Sequence, residues 1–203
     1  DIQIEIVDKN PKIILDSSES YRTWLRAYGD KVIWSDYPST EDGPRSLHSL
    51  YLYDHNKNDL KKLVGDATYD GYPSAVGEKV VVFSDYDPLI EKKVIYTFDV
   101  DTGEKKEIYK IINGPYHLDT DIYENTVVFS VSQEGYNFNV VIYDLEKETS
   151  TTIAENLKYN SVYGSKVSID KDKIAVTTSG DVRVYDLKTD KWEIFPYIST
   201  HIS

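Results

Sequence analysis

The sequence predicts an all-β fold in which one antiparallel sheet is copied four times. A first phrase occurs at residues 29–37 (GDKVIWSDY) and 77–86 (GEKVVVFSDY), with fainter copies at 123–132 and 170–177. A second phrase follows each copy and ends in an aspartate. These four residues, here called the Asp column, are separated by 45, 45 and 42 residues: Asp54, Asp99, Asp144 and Asp186.

The spacing and the local pattern together indicate a β-propeller. Short strands that repeat about every 45 residues are typical of propeller blades, and the 3.6-residue period of helical repeats is missing. Each copy divides into four strands, which in the second copy are 72–76, 79–84, 94–99 and 106–110. The turn after Asp99 contains Gly103, which is free to adopt a positive φ. We therefore predict a small propeller with four recognisable four-stranded blades, and five blades are the main alternative.

The chain divides into an N-terminal segment and the repeats. Residues 1–20 contain two apolar runs around a turn at 8–11, and we predict strands that close the ring or form a partial blade. Residues 21–203 contain the repeats, at about 21–68, 69–113, 114–158 and 159–197. The fourth copy departs most from the pattern, as a terminal repeat does in other repeat proteins.

The composition of the chain limits the kinds of molecule that it is expected to bind. The formal net charge of −12 disfavours nucleic acid and anionic membranes, because phosphates are bound chiefly by Lys and Arg. The 203 residues include no cysteine, which excludes disulfides and thiolate metal sites, and no apolar run is long enough for a membrane span. The chain begins at Asp1 and has no methionine, so we expect a mature secreted protein or an excised domain.

The two phrases resemble those of TolB-like and WD40-like propeller repeat proteins of the archaeal or bacterial cell-surface type. In these proteins a Lys-Val-Val-Trp-Ser-Asp strand precedes an Ile-Tyr-Leu-Tyr-Asp strand, as 31–36 and 50–54 do here. The resemblance covers about residues 21–196. It implies a propeller that is extracellular or displayed at the cell surface, and it brings no catalytic motif with it.

The inner strands supply the first candidate site, because they line the axis of a propeller. Alternation along these strands places Tyr28, Val76, Ile122 and Ile169 in the core. It places two other sets toward the channel: Leu25, Pro73, Asp119 and Lys166, and Ala27, Ala75, Asp121 and Ser168. Asp119, Asp121 and Lys166 could thus form a site for a cation or polar ligand, and the alternative is a structural ion pair or a solvated strand end.

The variable loops between the two phrases supply the second candidate site. Loops that vary on a constant scaffold are where binding residues concentrate. The candidates are Asp36 and Tyr37 in the first copy and Asp85 and Tyr86 in the second. Their tyrosine rings could stack on a sugar or on a protein partner.

The turn after Asp99 has two interpretations. The segment 99–104 places Asp99, Asp101 and Glu104 around a glycine, which resembles the start of a calcium loop. The twelve-residue calcium pattern is incomplete, so a hairpin turn capped by Asp99 is the alternative. We predict no cofactor, with Ca²⁺ at these three residues as the exception to test.

Three functions remain open. The first is a non-catalytic extracellular or cell-surface propeller that acts as a binding, adhesion or structural module, with a protein or glycan as its partner. The second is an accessory propeller domain of a larger enzyme or transport complex. The third is a polysaccharide hydrolase or lyase, which would need carboxylates converging in one cleft.

Overall fold

The computed structural model describes residues 20–38, 48–67, 72–87, 92–111, 117–133, 136–159 and 166–197. Within these ranges the chain is all-β, and it contains no helix. The residues form four four-stranded antiparallel sheets, each built from four consecutive strands. The prediction of four blades is thereby confirmed, while the N-terminal segment lies outside the described residues.

Each blade runs through its strands in order from the inner to the outer edge. Blade 1 contains β1 (Ser20–Tyr28), β2 (Lys31–Pro38), β3 (His48–Asp54) and β4 (Asp59–Ala67). Blade 2 contains β5 (Tyr72–Val76), β6 (Val80–Asp87), β7 (Lys92–Asp99) and β8 (Lys105–Ile111). Blade 3 contains β9 (His117–Tyr123), β10 (Thr126–Ser132), β11 (Asn137–Asp144) and β12 (Thr149–Lys158). Blade 4 contains β13 (Val167–Asp170), β14 (Lys173–Thr177), β15 (Asp181–Asp186) and β16 (Lys191–Pro196).

The turn between the third and fourth strands follows the same geometry in every blade. Asp99 Oδ1 accepts the N–H groups of Asp101 and Thr102, at 2.9 and 2.7 Å. Asp144 and Asp186 cap their own turns in the same way, and Asp54 Oδ1 accepts one turn N–H group, that of Lys57, at 3.1 Å. The residue four positions after each member of the Asp column has a positive φ: Asn58, Gly103, Glu148 and Asp190. The carboxyl groups thus satisfy turn N–H groups that no strand can reach.

The core lies between blades. One cluster joins Leu50 and Leu52 of blade 1 to Val81 and Phe83 of blade 2. A second joins blades 2 and 3 around Phe129, and a third joins blades 3 and 4 around Ile174. Among the described residues these clusters link only consecutive blades, and none links blade 4 to blade 1.

Candidate functional site

The inner strands bring one residue from each blade to an equivalent position. The register pairs Arg26 with Ile33, Ala75 with Val82, Asp121 with Val128, and Ser168 with Ala175. Arg26, rather than Ala27, is therefore the blade 1 residue that corresponds to Asp121. The sequence alignment of blade 1 was wrong by one residue.

Two glycines with different roles explain this error. Gly29 has a φ of +56° and is the first residue of the two-residue turn between Tyr28 and Lys31. Gly77 instead directly follows β5, and its N–H donates to the carbonyl of Val80. Tyr28, which we predicted to be core, is 48% exposed, whereas Ile122 and Ile169 are buried as predicted. The break in register between Thr23 and Arg26 leaves Leu25 without a direct counterpart.

A cavity of about 240 Å³ lies between the inner strands, and we call it the inner-strand cavity. Its lining combines apolar side chains with charges of both signs. Arg26 contributes a guanidinium, and Asp119 and Asp121 contribute carboxyl groups. The full lining is Arg26, Ala27, Tyr28, Ala75, Val76, Asp119, Thr120, Asp121, Ile122 and Val167.

Asp121 joins blade 3 to blade 4. Its Oδ2 accepts the hydroxyl of Ser168 at 2.8 Å and the backbone N–H of Ile169 at 2.9 Å. Its Oδ1 accepts the backbone N–H of Ile122 at 2.9 Å. Both oxygens therefore bind groups of the protein, and Asp121 holds the inner strands β9 and β13 together.

Asp119 makes a second link to β13. Its Oδ2 accepts the backbone N–H of Val167 at 3.1 Å, and Lys166 Nζ lies 3.5 Å from its Oδ1. The side chain of Asp119 is only 11% exposed, while that of Lys166 is 55% exposed. The structure thus brings together the three predicted residues Asp119, Asp121 and Lys166.

Burial controls the proton affinity of Asp119. The loss of water raises the pKa of its carboxyl above the ordinary 3.8, although Lys166, the N–H of Val167 and Arg26 all act to lower it. Arg26 donates one hydrogen bond to the carbonyl of Leu25, at 3.2 Å. The cavity therefore presents a guanidinium and a carboxyl of raised pKa to any molecule inside it. This pair suits a ligand that carries both acceptor and donor groups, such as a peptide or a sugar.

The loop candidates occupy equivalent positions in two blades. Asp36 and Tyr37 lie on β2, and Asp85 and Tyr86 lie on β6, in each case after a buried serine. Asp36 is paired with Ser49, and Asp85 with Val94, through the strand ladder. The side chains of these four candidates lie outside the described residues.

The turn candidates are engaged with protein groups. Asp99 caps its turn, and Asp101 Oδ1 accepts a hydrogen bond from Lys57 Nζ at 2.8 Å. In the described ranges, no group of three or more His, Asp or Glu side chains is arranged to hold a metal ion. The geometry of the turn is that of a capped hairpin, and Ca²⁺ at Asp99, Asp101 and Glu104 stays a prediction.

Arg26 is the charged cavity residue that our sequence reasoning missed, because it stood on the opposite side of the strand in the shifted alignment. Counting back from the two-residue turn, instead of from the glycine, would have found it.

In the part of the chain that the structure describes, no helix is long and apolar enough to cross a membrane.

Comparisons with solved structures show the same fold. The propeller domain of the Trilobed protease from Pyrococcus furiosus matches with a TM-score of 0.64 at 16% identity, over 91% of this chain and 60% of that one. TolB from Acinetobacter baumannii matches with a TM-score of 0.60 at 17% identity, over 93% and 46%. An oligogalacturonate lyase in complex with manganese matches with a TM-score of 0.64 at 10% identity, over 96% and 58%.

These matches define the class of protein. The chain has the fold of the β-propellers, and TolB is among the propellers that it resembles, as the repeated phrases implied. No protein-family model and no curated protein sequence matches the chain. The chain spans about half to three fifths of the three structures compared.

Proposed function

We propose that this chain is a non-catalytic β-propeller module that binds a protein or a glycan outside the cell or at the cell surface. The observation that supports the proposal is the inner-strand cavity, where Arg26 and Asp119 face one space of about 240 Å³. Opposite charges in a partly apolar cavity suit recognition of a polar ligand. We include Asp36 and Tyr37 of β2 and Asp85 and Tyr86 of β6 in the proposed binding surface.

The hydrogen bonding of the two carboxyl groups supports a binding role over a catalytic one. Glycoside chemistry needs two carboxyl groups placed to act on one bond, one of them as an acid. Asp121 uses both oxygens on protein N–H and hydroxyl groups, and Asp119 uses one on Val167. The net charge of −12 further favours neutral or basic partners over phosphate-rich ones.

A ligand screen tests the proposal directly. Short peptides and oligosaccharides are added to the purified chain, and those that raise its melting temperature are measured by titration calorimetry. We expect Arg26→Gln and Asp119→Asn to weaken binding about tenfold or more, because a hydrogen bond to a charged group contributes roughly 1.5–3 kcal/mol. Lys191→Gln and Glu155→Gln remove exposed charges on outer strands and serve as controls.

Two further experiments locate the residues that bind the ligand and test whether the chain cleaves it. If Asp36→Ala with Tyr37→Ala, or Asp85→Ala with Tyr86→Ala, removes binding while the cavity variants do not, the ligand binds at the ends of β2 and β6 and not in the cavity. The bound oligosaccharide or peptide should be recovered intact after prolonged incubation. Cleavage that disappears in Asp119→Asn would show that the chain is an enzyme and would contradict the proposed non-catalytic role.

An accessory role in a larger enzyme is the second candidate, and a specific observation favours it. The chain matches the propeller domain of a protease over 60% of that domain's length. An antibody raised against the purified 23.3 kDa chain provides the test, applied to cells that produce the protein. A band well above 23.3 kDa would support the accessory role, and a band at that mass would contradict it.

A further inference from the structure

Three tyrosines lie at strand ends in blades 3 and 4, and we call them the tyrosine row: Tyr136, Tyr159 and Tyr197. Tyr136 directly precedes β11, Tyr159 directly follows β12, and Tyr197 directly follows β16. Because the strands of a blade are antiparallel, all three tyrosines lie at the end of the blades where the second strands end. The tyrosine row therefore shares this end with the candidates on β2 and β6.

Backbone hydrogen bonds connect the tyrosine row across the two blades. The N–H of Tyr159 donates to the carbonyl of Tyr136, at 3.1 Å. In the turn between β14 and β15, the N–H of Ser179 donates to the carbonyl of the residue before Tyr159, at 2.8 Å. The carbonyl of Gly180 in the same turn accepts the N–H of Tyr197, at 3.2 Å. The three tyrosines therefore lie along one continuous line of hydrogen-bonded backbone.

The ring of Tyr136 is supported from below and open above. It meets the ring of Tyr159 edge to face, with centroids 5.7 Å apart and planes at 73°. Tyr159 in turn contacts the fully buried Phe138, with ring centroids 6.2 Å apart. Tyr136 is nonetheless 61% exposed, and Tyr197 is 53% exposed. Tyr136 thus presents an aromatic face to solvent from a site that packing holds in place.

The backbone of Tyr136 gives an independent reason to assign it a role. Its φ is +63°, in the left-handed region that a bulky residue rarely adopts. Each other non-glycine residue with a positive φ in the described ranges is an Asn, Asp, Glu or Lys. An aromatic ring that is kept in an unfavourable conformation and left in solvent contributes little to folding. It therefore indicates a role in binding.

The polarity of the tyrosine row favours a sugar over a protein surface. A protein interface buries about 800 Å² on each partner around a continuous apolar centre. Along the row, by contrast, the exposed polar residues Lys158 and Ser179 lie between the tyrosines. A sugar ring has an apolar C–H face, which stacks on an aromatic ring, and hydroxyl groups at its rim, which bond to polar neighbours. The row offers both kinds of contact in alternation.

We propose that the tyrosine row binds a neutral oligosaccharide, with sugar rings stacked on Tyr136 and Tyr197 and hydroxyl groups bonded to the polar residues between them. This assignment rests on the binding function proposed above, and it selects a glycan as the ligand and adds a contact outside the inner-strand cavity. Several sugar units are needed, because the row extends over two blades. The net charge of −12 disfavours anionic polysaccharides.

Titration calorimetry with cellohexaose, chitohexaose and mannohexaose tests the assignment. We expect at least one of these hexasaccharides to bind, and its monosaccharide to bind far more weakly. Tyr136→Leu and Tyr197→Leu should each weaken binding roughly five- to tenfold, because each removes a stacked ring. Tyr136→Phe keeps the ring and should keep most of the affinity. Phe195→Leu changes an exposed aromatic residue of β16 outside the row and should leave the affinity unchanged.

A second variant separates binding from folding. Asparagine adopts a positive φ more readily than tyrosine. Tyr136→Asn should therefore unfold at or above the melting temperature of Tyr136→Leu and bind the hexasaccharide as weakly. If Tyr136→Asn instead binds as tightly as the parent chain, Tyr136 is not a sugar contact.

The remaining outcomes distinguish this site from the cavity. A hexasaccharide whose binding is weakened by Arg26→Gln but not by Tyr136→Leu would refute the tyrosine row and leave the proposed function intact. Failure of all three hexasaccharides to bind would overturn the assignment, as would equal losses from Phe195→Leu and Tyr136→Leu. Binding of peptides alone, lost in Tyr136→Leu, would show that the row contacts protein and would also overturn it.

Discussion

Asp121 accepts a hydrogen bond from the backbone N–H of Ile169, across 2.9 Å, and so joins the inner strands of two blades. The same oxygen accepts the hydroxyl of Ser168. Neither contact belongs to a strand ladder, because β9 and β13 lie in different sheets. A single side chain thus supplies the acceptor that no neighbouring strand provides.

Asp121→Ala should reduce the free energy of unfolding by about 1–3 kcal/mol, because it leaves a partly buried N–H without an acceptor. Urea denaturation of the variant and the parent measures the change. Ser168→Ala removes only one of the bonds and should have a smaller effect, and Glu155→Gln on β12 is the exposed control. A loss from Ser168→Ala as large as that from Asp121→Ala would contradict a dominant role for the Ile169 bond.

Asp119 should make the protein less stable as the pH rises. Because burial raises its pKa in the folded state, the folded protein binds this proton more tightly than the unfolded chain does. Asp119 therefore contributes to the free energy of unfolding at low pH. This contribution is lost as the pH rises from 3.8, the ordinary pKa, through the raised pKa of the folded state. Asp119→Asn should remove this dependence, which urea denaturation across that pH range would detect. An unchanged pH profile in the variant would show that Asp119 does not titrate in this way.

Asp186 should show the opposite dependence. The hydrogen bond from Lys173 is the main reason that its pKa falls from 3.8 to about 2, and the N–H groups of Lys188 and Thr189 also lower it. Its contribution to the free energy of unfolding is therefore present above pH 3.8 and is lost as the pH falls toward 2. Carboxyl NMR titration should show the pKa of Asp186 rising in Lys173→Gln. A pKa that stays near 2 in this variant would assign the shift to the turn N–H groups.

Gly103→Ala should destabilise the protein by roughly 1 kcal/mol, because the φ of +77° is unfavourable for any residue with a Cβ. The added methyl group would contact nothing within 4 Å, so the backbone alone determines the result. Gly180→Ala is the matched control, since it too has open space around the Cβ but lacks a positive φ. Thermal unfolding of both variants provides the measurement. A similar loss in both would show that the backbone conformation is not the cause.

The repeated strands could be predicted from the sequence because each blade buries the same kind of side chain at the same position. Trp34, Phe83 and Phe129 share one position, and their neighbours Ser35, Ser84 and Ser130 share the next. The Asp column could be read in the same way, since capping needs a carboxyl at one place in the turn. These features depend on local chemistry that is copied with the repeat.

The lining of the inner-strand cavity could not be predicted so well, because a shift of one residue sends a side chain to the opposite face. Gly29 has a φ of +56°, whereas Gly77 has no positive φ, and a Cβ on Gly77 would meet Ile122 Cδ1 at 3.3 Å. The two glycines look alike in sequence and stand at different positions in their blades. Glu124 and Lys171 adopt positive φ values in the equivalent turns without being glycine, so residue type alone does not mark the turn.

Each sheet is complete in its own ladder hydrogen bonds, and neighbouring sheets meet mainly through side chains. Duplication or deletion of one whole unit in the gene would leave every remaining strand paired. A deletion of only part of a unit would leave N–H and C=O groups unpaired along the edge of the shortened sheet. Length in such a protein can therefore change over evolution in steps of one sheet, and a newly gained unit arrives with an apolar face already suited to its neighbour.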